Sequence, residues 1–291
     1  MAQRPSPVRR TVGRREGSST AQHCSRCSAR AVLAGTLALA VLAGAAPAGA
    51  DRRIFGYTYP YMTLPEGGFE IEHYLDAYIE RLDDPATVDD PATPEVENVE
   101  HDFEIAWRHQ LEFEYGITDH WDFGLYNVFR QDYFGPFEYS GVKLRSRYRF
   151  AEQGDLFVDP AVYVEVGWFG DDLALEQRLI VAPVIGALEL ALNLKFEEEF
   201  GFGGEGTEFE FVFNPTLGVG YHVAEWFAFG VEYYGKLVVE GGEVEYFANY
   251  LGPTVSFAGR HFWVTLTFQP ELNDSDGPAQ FQARSLFAVV L

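Results

Sequence analysis

From Ala187 to Phe200 the chain alternates between two kinds of side chain: Leu188, Leu190, Leu192, Leu194 and Phe196 stand at even positions, Glu189, Asn193, Lys195, Glu197 and Glu199 at odd ones. A β-strand turns successive side chains to opposite faces, so this segment has one greasy face and one wet face. The same alternation recurs in twelve segments, about 68–80, 101–115, 121–131, 137–150, 155–168, 172–184, 187–199, 207–221, 226–238, 244–257, 261–270 and 279–291. Roughly 10 to 14 residues is the length a tilted strand needs to cross a bilayer. The links alternate as well. Tight turns fall at Gly116 to His120, Ala151 to Asp155, Ile185-Gly186, Val223 to Glu225 and Ala258 to Arg260, against longer links such as Leu82 to Glu100 and Gly201 to Gly206. Short periplasmic turns alternating with longer external loops are the habit of outer-membrane barrels. The pattern predicts an all-β fold: a transmembrane antiparallel up-and-down β-barrel of twelve strands over 68–291, with both ends of the chain in the periplasm.

The start of the chain supports export. Arg9, Arg10, Arg14, Arg15, Arg26 and Arg30 precede the apolar run Ala31 to Ala46, which leads into Ala48-Gly49-Ala50. This reads as a signal peptide, 1–50, removed after Ala50, with 51–67 as a periplasmic N-terminal segment before the barrel. Later stretches fall short of the ~18 apolar residues of a membrane helix. Cys24 and Cys27 both lie in the leader, so the exported chain is expected to carry no thiol, disulfide or Cys-based metal site.

The leader holds seven of the 21 Lys and Arg and one of the 44 Asp and Glu, leaving 14 bases against 43 acids, a net charge of −29. Such acidity argues against nucleic-acid binding. Yet 16% aromatic and 47% hydrophobic residues are unlike a disordered acidic chain. A soluble β-sandwich would also have half-buried strands, but shorter and less regular ones. Large aromatics at strand ends (Tyr115, Trp121, Phe123, Phe150, Trp168, Phe196, Phe209, Phe257, Phe262) suit two interfacial girdles.

The segment Glu114-Tyr115-Gly116-Ile117-Thr118-Asp119-His120-Trp121-Asp122-Phe123-Gly124-Leu125 resembles the strand-turn-strand signature of a broad group of uncharacterised bacterial outer-membrane barrels, including those associated with the meta-pathway of phenol degradation. Tyr57-Thr58-Tyr59 and Leu64-Pro65-Glu66-Gly67-Gly68, leading into Glu70-Ile71-Glu72, are similar to the approach to the first strand in such proteins. The resemblance implies a pore-like or transporter-like barrel and names no substrate. Expected partners are outer-membrane lipid and lipopolysaccharide, the barrel-assembly machinery and a small solute; no cofactor is expected.

Taking the apolar parity as lipid-facing fixes the inward residues. On the fourth segment Val142, Leu144, Tyr148 and Phe150 face out, so Lys143, Arg145, Arg147 and Arg149 form a ladder inside, flanked by Arg130 and Arg178. Acids dominate elsewhere: Glu70, Glu72, Asp76 and Glu80, then Glu104, Glu112 and Glu114, then Glu208 and Glu210, then Glu232. The functional reading is a passive channel for a small polar or charged solute, with a transverse field that favours cations or zwitterions. In a wide lumen the ladder is screened by water and controls selectivity rather than folding. The alternative is a closed structural barrel filled by salt bridges, since small barrels are packed.

A third reading is a lipid hydrolase like the twelve-stranded outer-membrane phospholipases. His73, His109 and Asn127 share lipid-facing parity, with Ser140 and Ser146 as the nearest outward serines. No His-x-Ser segment exists in the chain, and nucleophilic catalysis needs the serine within hydrogen-bond reach of its base. An external run from Asp83 to Glu97 offers carboxylates to a hard cation, although such runs are usually only solvated.

Overall fold

The computed structural model describes residues 52–88, 99–132, 135–203, 208–275, 277 and 279–291. The expected cleavage site after Ala50 lies outside the described residues, as do the side chains of the run from Asp83 to Glu97. The strands are β1 (Phe69–Val88), β2 (Val99–Thr118), β3 (Trp121–Gln131), β4 (Glu138–Arg149), β5 (Pro160–Phe169), β6 (Asp172–Val181), β7 (Val184–Ile185), β8 (Leu188–Gly201), β9 (Glu208–Ala224), β10 (Phe227–Glu240), β11 (Glu243–Ala258), β12 (Phe262–Pro270) and β13 (Phe281–Val290). The two-residue β7 only leads into the turn before β8. Every other strand pairs antiparallel with its neighbour, β6 pairs with β8, and β1 pairs with β13. The result is the closed twelve-stranded barrel that the alternation predicts. Closure removes the unpaired strand edges that an open sheet would leave in lipid.

The outer wall is apolar. Val164, Leu192, Leu217, Val219 and Leu266 stand exposed on it, and Leu188, Leu190 and Leu194 share their parity while Glu189 turns inward and is buried. Tyr115, Trp121, Phe123, Phe150 and Phe257 ring the rim that carries both ends of the sheet, here the lower rim; Trp168 and Phe209 lie toward the upper one. A soluble protein does not expose an apolar belt of this size, whereas a membrane-spanning barrel requires one.

Two boundaries differ from expectation. The β1–β2 hairpin continues past the predicted strand ends, pairing Ala86 with His101 and Val88 with Val99 after an irregularity at Arg81/Ala86. Backbone pairing needs no apolar face once a hairpin has left the membrane, so alternation underestimates it. The β4–β5 link runs from Phe150 to Asp159 rather than turning tightly within Ala151 to Asp155. At the β10–β11 turn, Gly241 and Gly242 both take positive φ, 59° and 87°, as a two-residue hairpin of the primed type requires.

A larger difference concerns the segment before β1. Expected on the periplasmic side, it lies inside the barrel: Arg53, Ile54, Phe55, Thr58, Tyr61 and Leu64 are each no more than 2% exposed. It enters at the lower rim beside the β9–β10 turn and the end of β11, where Arg52 hydrogen-bonds the carbonyls of Glu225 and Ser256. It rises to Tyr57 and Thr58, then descends to the β2–β3 turn, where the Leu64 N–H donates to Asp122. The lower half of the lumen is thus filled by a plug from the chain's own N-terminal side.

Candidate functional site

Buried backbone groups must find partners, and an irregular segment cannot supply its own. Wall side chains supply them here. Glu232 accepts the N–H groups of Gly56, Tyr57 and Thr58 at 3.0, 2.8 and 2.5 Å. Asn193 accepts the Tyr59 N–H at 2.7 Å and donates to the Tyr59 carbonyl at 3.0 Å, as a neighbouring strand would. Arg178 donates to the Tyr57 carbonyl, Arg284 to that of Gly56 and Thr254 to that of Ile54. Aromatic contacts add to the grip: the Arg284 guanidinium lies 4.1 Å from the Tyr57 ring centre and Arg178 lies 4.3 Å from that of Tyr59, whose ring Arg53 of the plug itself also approaches at 4.3 Å. The apolar residues Ile54 and Phe55 pack against Ala161, Ile180, Ala182, Ala191 and Ala228. A Cβ on inward-facing Gly218 or Gly220 would collide with the Phe55 or Ile54 side chain, so the wall of β9 is hollowed where the plug seats.

Beside the plug lies a dry charge network. Arg145 contacts Glu112 at 2.6 Å, Glu114 at 2.5 Å and Asp122; Arg147 contacts Glu114 at 3.1 Å and Asp122 at 2.8 Å. Arg53 brings a third guanidinium from the plug to Glu72 at 2.6 Å, and Tyr74 donates to Glu112. Gly124 makes room for the Arg145 and Glu112 side chains. Glu72, Glu112 and Glu114 converge closely enough to suggest a cation site, but these arginines already fill that role. Lower down, Arg149 donates to Tyr61, Thr63 and Glu152. The hydrogen bond from Arg149, with help from His120, holds the exposed Glu152 carboxyl below its ordinary range.

Above the plug the lumen is open. A cavity of about 550 Å³ is floored by Tyr57 and Tyr59, and its wall carries seven bases and five acids. Lys143 pairs with Glu165 at 2.8 Å, Arg178 with Glu176 at 2.7 Å, and Lys195 with Glu197 at 2.5 Å.

The residues expected in one water-filled selectivity surface therefore divide by height. Arg145, Arg147 and Arg149 lie in buried contacts of the lower lumen, with Glu70 bonded by Trp263 and Glu72 by Arg53. Asp76 takes Arg284 in a two-point contact, and Glu232 holds the plug. Lys143 and Arg178 reach the cavity. Arg130 also borders it but is exposed near the upper rim with Glu138 3.4 Å away, and Glu208 and Glu210 stand at that rim outside the cavity lining. The screened ladder of the sequence reading is thus corrected: a lumen filled from below leaves Arg145 and Arg147 no water. The expected excess of acids is also reversed along the cavity, because the lower network and the plug absorb most of them. Asn193 and Lys195, on the wet face of their strand in the sequence, also line the cavity, whereas sequence reasoning missed Arg53, Arg108, Lys236 and Arg284. Arg108 and Arg284 carry inward parity that could have revealed them.

In the lipid-facing row the histidines contact each other and an aromatic ring. His109 Nδ1 lies 3.3 Å from His73 Nε2, and the His109 ring meets Phe137 edge-on at 5.1 Å. Ser146 accepts the Trp121 indole N–H at 2.7 Å. Ser140, expected outward, borders the cavity instead, since an irregular register at Val128/Phe129 skips this one residue.

No family model matches the chain, and no curated protein matches its sequence. Solved structures do. A COG4313 outer membrane channel from Pseudomonas putida F1 superposes with a TM-score of 0.57 at 10% identity, covering 79% of this chain and 98% of that one. The NanC porin gives 0.45 at 8% identity, covering 75% and 98%. The fold is that of outer-membrane β-barrels.

Proposed function

We propose that this protein is a passive outer-membrane channel for small polar or charged solutes, stoppered from the periplasmic side by its own N-terminal segment. The observation that carries this reading is the division of the lumen into an open, charged vestibule and a floor made of one irregular segment. That floor is held largely by hydrogen bonds to wall side chains, each worth about 0.5–1.5 kcal/mol net between neutral groups and about 1.5–3 kcal/mol where Glu232, Arg178, Arg284 or Asp122 is the partner. Ile54 and Phe55 add about 1.5–3 kcal/mol each as apolar anchors. A plug on that scale stays seated most of the time and can leave without breaking a strand pair. The likeness to an outer membrane channel supports the same role.

Single-channel recording in planar bilayers tests it. The full exported chain should give rare, brief openings. Deleting residues 52–64 should give steady conductance from a barrel that keeps its heat-modifiable mobility. A folded but insulating deletion variant would mean a closed structural barrel, and the channel reading would be withdrawn.

A further inference from the structure

Most vestibule charges are matched at close range, and Arg284 is held by Asp76 just below. Four lack an ion pair among the described residues, Arg108, Asp172, Glu199 and Lys236, and two of these, Arg108 and Glu199, stand on nearly opposite walls. Arg108, on β2, has no hydrogen bond or ion pair and rests its guanidinium 5.9 Å from the Phe169 ring centre. Glu199, on β8, has no hydrogen bond or ion pair either. Around the closed sheet β8 is the fifth strand from β2, close to halfway round. Arg108 is in register with Arg130 on β3 and with Asp76 on β1, whose charge Arg284 already takes, while Glu199 is in register with Glu210 on β9 and two residues from Glu197. Lys236, two strands beyond Glu199, lies over the Tyr246 ring and tempers the acidic side without pairing to it. The vestibule therefore has a transverse field at a different place from the buried ladder.

Such a field discriminates by charge pattern. A simple anion drawn to Arg108 faces carboxylates across the lumen, and a simple cation drawn to Glu199 faces guanidinium groups. A neutral solute satisfies neither wall. Only a solute with both charges replaces the water on both.

We propose that the vestibule binds small zwitterions, of the α-amino acid or betaine class, with the carboxylate at Arg108 and the ammonium at Glu199. The guanidinium fork of Arg108 suits a carboxylate bidentately, and the tyrosine rings of the wall offer faces to an ammonium. A cavity of about 550 Å³ falls within the range of roughly 300–1,000 Å³ that small-molecule sites occupy. The assignment rests on the vestibule being the solute's path, as proposed above.

The test is calorimetric titration of the refolded full exported chain with leucine, leucinamide and 4-methylpentanoate, which share a skeleton and differ in charge. Leucine should bind at least tenfold tighter than either of the others. Arg108→Gln should bring leucine down to the level of leucinamide, and Glu199→Gln to that of 4-methylpentanoate. Equal affinities in the unmodified protein, no binding of any of the three, or tightest binding of the simple anion would overturn the proposal whether or not the variants fold. Liposome swelling with the same solutes separates this outcome from the channel reading. Leucine binding without swelling, even after deletion of residues 52–64, would sink the channel and leave the site; equal swelling with no binding would do the reverse.

Discussion

Arg145 shows how strongly a residue's role depends on what fills the space around it. The residue is 2% exposed and its guanidinium touches three carboxylates, so removing it leaves buried Glu112 without its arginine and Glu114 and Asp122 to Arg147 alone. Breaking a buried pair of this kind typically costs about 3–5 kcal/mol. Arg145→Ser should therefore lower the thermal midpoint of the folded, heat-modifiable form, read by electrophoretic mobility after graded heating. Arg130→Ser should leave it unchanged, because an exposed pair such as Arg130–Glu138 contributes about 0–1 kcal/mol. An Arg145→Ser barrel with an unaltered midpoint and a changed ion preference would return the ladder to a selectivity role. Strand parity made the ladder legible in the sequence, since Val142, Leu144 and Tyr148 mark the opposite face. Its partners were not legible, because parity gives a direction and no distance.

Among the elements, β9 and the plug are made for each other. Phe55 fits against β9 only because residue 218 has no side chain, and Ile54 likewise needs the bare backbone at 220. Gly218→Ala should unseat the plug while leaving strand pairing intact. The expected readout is a rise in open probability toward that of the 52–64 deletion, with little change in the barrel's thermal midpoint. Unchanged gating would mean that Phe55 does not set the plug's position. The plug itself was opaque in the sequence: Arg53 to Leu64 has neither a period of two nor one of 3.6, and its order comes from groups such as Glu232, Asn193 and Thr265 that lie far along the chain. The available clue was indirect. Glycines at inward positions of a strand signal close approach by another backbone or side chain, and Gly218 and Gly220 are such a pair.

For the molecule as a whole, the even strand number puts both sheet ends at the plugged rim and the vestibule at the other. The 51–291 chain contains no cysteine, so single cysteines can map this directly. A membrane-impermeant thiol reagent added to intact cells should label Lys236→Cys in the vestibule and leave Leu192→Cys, on the lipid face, unlabelled. Labelling at Leu192 with none at Lys236 would invert or abolish the barrel. Alternation recovered all twelve strands because lipid imposes one rule on every strand face. It could not recover the plug, since no such rule acts on what lies inside. The plug also constrains the order of assembly. The Arg53 carbonyl accepts from Ser256 and Thr265, more than 200 residues away, while Ile54 belongs to a buried cluster with residues of β5, β6, β8 and β10. The segment before β1 is thus among the last parts of the chain able to complete its native contacts. Until β11 and β12 are in place the Arg53 end has no seat, so the lumen can be filled only as the last strands complete the wall.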